Sequence, residues 1–301
     1  MFFVDNRYKM FLFSGVLLLV FLVSIVLQGF NLGVEFAGGN EIQVFPREEF
    51  EVEEVQEVLA EFELEGASVR RVADRGDEET GGFTVRTPVL SQEQRDSLMD
   101  ALQREWPNQD PERSDIFSRG PDVGEEQTRN SLIAVSLALV AMIVYITVRF
   151  RFSFAVSTIA ALLHDLIIVL GVFSLFQLQV NEPFMAALLL VVGYSINDSI
   201  VIFDRIRDNM KGARKKEYPE MVNRSVFQNL TRSINTSLTT LLVLLALLIG
   251  FTFFIGNLDL ILFVTALIIG VITGTYSSLF IASPLWLSLK EREFRKTGHN
   301  V

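Results

Sequence analysis

Gly193-Tyr194-Ser195-Ile196-Asn197-Asp198-Ser199-Ile200-Val201-Ile202-Phe203-Asp204-Arg205-Ile206-Arg207-Asp208 carries an amide and a carboxylic acid into an apolar run long enough to form a membrane helix. A charge at the middle of such a helix costs roughly 2.5–3.5 kcal/mol on insertion scales, so an acid without a task is disfavoured there against the many apolar alternatives. Asp198 is therefore the first candidate functional residue. Tyr194, Asn197, Asp198, Val201 and Arg205 recur at spacings of three, four and seven, which draws a polar stripe along one helix face. Interhelical hydrogen bonding would explain Asn197 and is the plainer alternative for Asp198; an Asp198 that exchanges a proton is favoured.

The surrounding composition fits this stretch. Half of the 301 residues are apolar and 26 are Phe, more than one soluble core calls for. The chain has no Cys and two His, which excludes disulfides and leaves too few soft ligands for a typical zinc site. Charge is segregated: residues 31–129 hold 25 acidic side chains against 10 Arg and no Lys, whereas the remainder is net basic. One acidic soluble domain on one side of a membrane, with basic residues near helix ends on the other, accounts for that split.

Arg7 and Lys9 precede the apolar run Met10 to Leu27, which reads as an uncleaved first span with the amino terminus in the cytoplasm. Five further apolar runs follow, at Ser131 to Val148, Phe154 to Phe176, Phe184 to Phe203, Ser237 to Ile255 and Leu260 to Leu289. Arg149, Arg151, the Lys211 to Lys216 cluster and Lys290 to Lys296 all fall on the predicted inner side. The outer connections Gln177 to Pro183 and Gly256 to Asp259 carry no Lys or Arg.

Between the first two spans the pattern changes to a compact mixed domain. Gly39 to Phe45 alternates as a strand, and Val52, Val55, Leu59 and Phe62 recur at helical spacing. Ser68 to Val72 and Phe83 to Thr87 read as strands around a Gly-containing turn, and Ser91 with Gln94 forms a capping box that opens a helix ended by Pro107. With a weak last strand near Asp115 to Ser118, the order strand, helix, strand, strand, helix, strand is the ferredoxin-like pattern. The predicted fold is an α-helical integral membrane protein with six transmembrane helices plus an α+β ferredoxin-like extracytoplasmic domain. Its parts are residues 1–30 (cytoplasmic amino terminus and first span), 31–129 (outer domain), 130–289 (spans two to six, with an inner loop 204–232) and 290–301 (cytoplasmic tail).

Other polar groups lie at membrane depth. Arg232, at the inner mouth of the fifth span, is a candidate charge partner for Asp198, with lipid-interface anchoring as the alternative. Asp165 in the third span is a second candidate acid; its neighbour His164 fits a packed, hydrogen-bonded residue as well as a proton relay. Gly270, Gly274, Ser278 and Ala282 put a small residue at every fourth position of the sixth span, which suits close helix packing within the chain or docking of a second membrane subunit. No phosphate loop, nucleophile triad or metal motif is present, so neither enzymatic catalysis nor a cofactor is expected.

Four motifs carry a resemblance: Gly33-Val34-Glu35-Phe36-Ala37-Gly38-Gly39 after the first span, Ala161-Leu162-Leu163-His164-Asp165 in the third, Gly193 to Arg207 in the fourth, and Arg232 to Thr240 entering the fifth. In these the chain resembles the SecD/SecF family, accessory subunits of the bacterial Sec protein translocase with a resistance-nodulation-division architecture. The resemblance implies a place in the bacterial inner membrane and a twelve-helix assembly with SecD. It further implies action on a translocating preprotein emerging from SecYEG, powered by the proton gradient, with YajC and YidC as further candidate partners and no nucleic acid. It assigns proton movement to residues matching Asp198 and Arg232; Asn197 and Asp165 are candidates beside them only as polar groups at membrane depth. Gly33, Gly38, Gly39 and Gly193 are expected as hinge or motif glycines. Half of a small-molecule or lipid exporter of the same architecture is the rival expectation.

Overall fold

The computed structural model describes residues 2–64, 67–72, 81–110, 114–150 and 152–296. In chain order, a short helix α1 (Phe2–Asp5) leads into α2 (Arg7–Gln28), then β1 (Asn31–Leu32), a one-turn helix α3 (Val34–Ala37), β2 (Gly39–Val44), α4 (Val52–Ala60), β3 (Ser68–Val72) and β4 (Gly82–Thr87). There follow α5 (Gln92–Glu105), β5 (Asp115–Arg119), α6 (Pro121–Arg149), α7 (Phe152–Leu175), β6 (Gln179–Val180), α8 (Glu182–Met210), α9 (Tyr218–Gly250), α10 (Leu258–Ser277) and α11 (Ser283–Lys296). Among the described residues six helical stretches are long and apolar enough to cross a membrane, the last running from α10 through a π-helical segment at Ser278–Ala282 into α11. The expected turn after Val72, Arg151 and the end of the tail fall partly or wholly outside the described residues.

Residues 39–119 form a four-stranded antiparallel sheet in the order β3-β4-β2-β5. Alternation decides its two faces. Ile42, Val44, Phe83 and Val85 point to one side and, with Val55 and Leu59 of α4 and Leu98 and Leu102 of α5, make a core from which water is excluded. Glu41, Gln43, Thr84 and Arg86 point the other way, into a cavity of about 470 Å3 whose far wall is the turn Ile255–Asp259. The Ser91 capping box is present, and α5 ends at Glu105, before Pro107. Gly39 is the close approach in this domain: its φ is +129°, and a Cβ there would sit 2.6 Å from the Thr87 carbonyl oxygen.

In the bundle, α7 and α8 are the most enclosed helices, whereas few residues in the apolar stretches of α6 and α9 are fully buried. One end of the bundle is tied together by a two-pronged Arg7–Glu291 ion pair, at 3.0 and 2.9 Å, and by the Phe3 amide donating to Asn223 Oδ1 at 3.1 Å. The start of α2 and the helix α11 therefore lie at one end of the bundle. The stretch 204–232, expected as a loop, is instead largely helical: α8 continues to Met210 and α9 starts at Tyr218. Pro219 in its first turn is compatible with a helix start, and Met221, Val222 and Val226 bury a stripe that holds the extension on the bundle.

The small-residue stripe of the sixth span is occupied within the chain. A Cβ on Gly270 would strike the Val191 side chain, and one on Gly274 would lie 3.2 Å from Ser195 Cα and 3.7 Å from Asp165 Oδ2. Docking of a second subunit on these glycines is thereby overturned in favour of α8–α10 packing, because the glycines set how near the two backbones come. Gly270→Leu is expected to lower stability by about 1–3 kcal/mol through overpacking, even in the isolated chain. Gly193→Ala, where an added Cβ meets nothing within 4 Å, is expected to change it little. Thermal unfolding in detergent compares the two, and equal melting temperatures would show that the close contact is relieved elsewhere.

Candidate functional site

Three elements bring polar groups together at mid-bundle. Asp165 of α7 is fully buried and fully engaged: its Oδ2 accepts from Ser195 Oγ of α8 at 2.5 Å and from Ser277 Oγ of α10 at 2.7 Å, and His164 Nδ1 lies 3.0 Å from its Oδ1. His164 Nε2 is buried without a partner, and its ring centroid lies 6.0 Å from that of Tyr276. One turn along α8, Ser199 Oγ pairs with Ser278 Oγ at 2.9 Å. The Ser278 carbonyl in turn accepts from Ser283 Oγ at 3.1 Å. A seam of hydroxyls thus follows the α8–α10 contact, and the backbone changes to π-helix at Ser278, where those hydroxyls converge.

Asp198 sits in a different environment from Asp165. It is 4% exposed, yet its Oδ2 has no hydrogen-bond partner. On α9, Arg232 is within electrostatic range of Asp198 but makes no ion pair with it among the described residues, and Arg232 is itself exposed. The neighbouring Ser233 is buried with an unpartnered Oγ. The acid and the cation are therefore near each other without being locked, whereas Asp165 is held by two hydroxyl donors and the His164 ring. A carboxyl with no fixed donor can gain or lose a proton without rearranging a hydrogen bond; one already engaged by two hydroxyls and an imidazole must rearrange them.

The predicted polar stripe of α8 divides. Tyr194 donates to Ser237 Oγ of α9 at 3.3 Å and Asp198 is inside, while Asn197 and Arg205 are exposed. Asp204 pairs with Arg207 at 3.0 Å toward the carboxyl end of α8. Among the glycines, Gly33 is pinned: its amide donates to the Val180 carbonyl at 2.8 Å, next to the two-residue parallel pairing of β1 with β6. Gly38 takes φ +72° at the end of α3, and Gly38 and Gly39 together carry the chain into β2. Ser195, Ser199, Ser277 and the Ser237–Thr275 pair at 2.6 Å were not singled out from sequence. Their only signal is a hydroxyl facing a neighbouring helix, and a lone Ser in an apolar run satisfies its own helix carbonyl just as well.

Asp165→Asn replaces an acceptor facing two hydroxyl donors and the His164 ring with a group that is half donor. It is expected to cost roughly 1–3 kcal/mol by leaving at least one buried hydroxyl or ring nitrogen without an acceptor. Reduced thermal stability of that variant, against little change for Asp198→Asn, is the check; the reverse order would mean that Asp198, not Asp165, is the structural acid.

Residues 100–292 match the family described as "Protein export membrane protein SecD/SecF, C-terminal", and residues 23–44 match the "SecD/SecF GG Motif". The protein translocase subunit SecF of Sebaldella termitidis is 39% identical over 294 residues, covering 97% of this chain and 92% of that one. Among solved structures, SecDF from Thermus thermophilus, titled a translocon-associated membrane protein, superposes with a TM-score of 0.84 at 36% identity, over 97% of this chain and 39% of that one. SecDF in a form titled super-membrane-facing gives a TM-score of 0.70 at the same identity, over 98% of this chain and 39% of that one.

Proposed function

We propose, for a chain that belongs to the SecD/SecF family of protein export membrane proteins, that it is the SecF-type subunit of the Sec translocase accessory complex and uses the proton gradient to drive late stages of export. The small-molecule exporter alternative is not favoured, since the relatives matching nearly the whole chain are named as translocase subunits. The observation that carries the energetic part is the buried, unpartnered Asp198 within range of Arg232. In this reading Asp198 takes up a proton when Arg232 is remote and releases it when Arg232 approaches, so that each protonation state favours one arrangement of α8 against α9. Asn197 and Asp165 flank that step: Asn197 toward whatever covers the outer face of α8, Asp165 as its fixed neighbour on α7. The chain acts mechanically, without catalysing a reaction.

SecD is the natural partner, because in SecDF a single longer chain contains a part resembling this one across 39% of its length. The apolar stretches of α6 and α9, in which few residues are fully buried, leave room for such a neighbour. We place SecYEG and a translocating preprotein, with YajC and YidC, around that pair. We place the sheet domain, residues 31–129, outside the cell membrane and both termini, with the tail from 290, in the cytoplasm, on the charge asymmetry of the loops. The strand order and the two helices on one sheet face support a ferredoxin-like class for that domain. Purification in mild detergent followed by mass spectrometry is expected to recover a SecD-type chain in a fixed ratio; recovery of this chain alone, or of a different transporter half, would sink the assembly.

A further inference from the structure

Where the chain passes from α2 to the sheet, two buried oxygen acceptors face a shortage of donors. Glu35 Oε2, on α3, is buried with no partner, and so is Gln179 Oε1, on β6, in a residue only 1% exposed. The two side chains meet over Gly33. A Cβ added to Gly33 would overlap Glu35 Oε2 and lie 3.0 Å from Gln179 Nε2 and 3.3 Å from the Val180 carbonyl oxygen. Glycine at this position therefore makes the space in which the carboxyl and the amide approach each other. The β1–β6 pairing, Asn31 with Gln179 and Leu32 with Val180, fixes the amide there.

On its other side Glu35 borders a cavity of about 200 Å3, lined also by Glu41, Gln43, Phe117 and Asp259. Two of the acids in it are already engaged: Glu41 is paired with Arg86 at 2.8 Å, and Asp259 accepts from Asn181 Nδ2 at 2.6 Å. Of these three, Glu35 is the one without a side-chain hydrogen bond or ion pair among the described residues. As placed, the amide atom of Gln179 nearest the Gly33 gap is Nε2, yet Glu35 Oε2 has no hydrogen-bond partner and Gln179 Oε1 is left without a donor. Protonated, its hydroxyl becomes a donor, and the amide of Gln179 can present its oxygen to it, which satisfies both orphan atoms with one proton.

We infer that Glu35, with Gln179 as its hydrogen-bond acceptor and Gly33 as the gap that admits it, is a proton-binding site at the outer neck, loaded from the cavity shared with Asp259. Burial raises the Glu35 carboxyl above its usual range; its own backbone amide opposes this, Asp259 and Glu41 add to it, and Arg86 opposes it. Asp122, Glu125, Glu126 and Arg129 of α6 and Arg119 of β5, on elements packed against α3, do not rank among these influences. As an entry point for protons that reach Asp198, the site rests on the proposed proton coupling; as a binding site it does not.

Infrared difference spectroscopy of the full chain with its membrane partner in lipid nanodiscs, titrated with acid and alkali, tests it directly. The unaltered protein is expected to show a protonated-carboxyl band that fades as pH rises past the range of surface carboxylates. Glu35→Gln should remove that band, and Asp198→Asn should keep it. Gly33→Ala, which pushes the carboxyl toward the cavity, should weaken proton binding about tenfold, one pH unit. Persistence of the band in Glu35→Gln, or its displacement by sodium at fixed pH, would overturn the assignment, the latter in favour of a cation site. If Asp198→Asn stays sensitive to uncoupler while Glu35 titrates as described, the proton-coupled function fails and the neck site stands.

Discussion

Asp198→Asn is expected to leave the protein folded and assembled while abolishing the share of preprotein export that an uncoupler removes. Folding is spared because Asp198 Oδ2 makes no hydrogen bond that the amide would lose, and a buried neutral amide costs less than a buried charge. Coupling is lost because an amide cannot alternate between charged and neutral forms opposite Arg232. The effect is large. One proton crossing about 150 mV releases about 3.5 kcal/mol, enough to bias a two-state equilibrium by a few hundred-fold. Arg232→Ala should impair the same step. Late-stage export in inverted vesicles, with and without uncoupler, is the measurement, and uncoupler-sensitive export retained by Asp198→Asn would rule the mechanism out.

Joining the sheet domain to the outer turn before α10 is expected to reduce export to its uncoupled level without disturbing assembly. Ser68 on β3 and Ile255 line opposite walls of the 470 Å3 cavity, and the chain contains no Cys, so Ser68→Cys with Ile255→Cys offers a unique pair for a short cleavable crosslinker. This pair is better placed than the loop 177–183 for holding the domain down, because residues 179 and 180 already pair with the stem of the domain in β1–β6. The sheet face presented to the cavity is largely polar, with Glu41, Gln43 and Arg86 lining it beside Phe45 and Val72, so opening and closing it parts few apolar contacts. The two SecDF forms that superpose on this chain with TM-scores of 0.84 and 0.70 are consistent with relatives adopting more than one arrangement. Cleavage of the linker should restore activity. Full export with the link intact would mean that this gap does not open during the cycle.

Much was legible in local pattern. Six apolar runs, the alternation of Gly39 to Phe45, and the Ser91–Gln94 box report on backbone state and on which surface avoids water, and both depend on residues close together in the chain. The inner extension of α9 was missed because its apolar stripe, Met221, Val222 and Val226, is thin among charged residues and gains its support from the rest of the bundle.

By itself the sequence determined that this is a membrane chain with one acidic mixed α/β insertion, and that Asp198 and Asp165 are acids placed where acids are costly. Only the tertiary structure distinguished the two: Asp165 meets Ser195 and Ser277, 30 and 112 residues away in the chain, while Asp198 Oδ2 meets no donor among the described residues. It likewise turned Gly270 and Gly274 toward α8 and brought Glu35 to Gln179. Composition and spacing set what each residue costs in its surroundings, but whether a buried polar atom finds a partner depends on which distant helix supplies the neighbouring atom, and that is settled by packing alone.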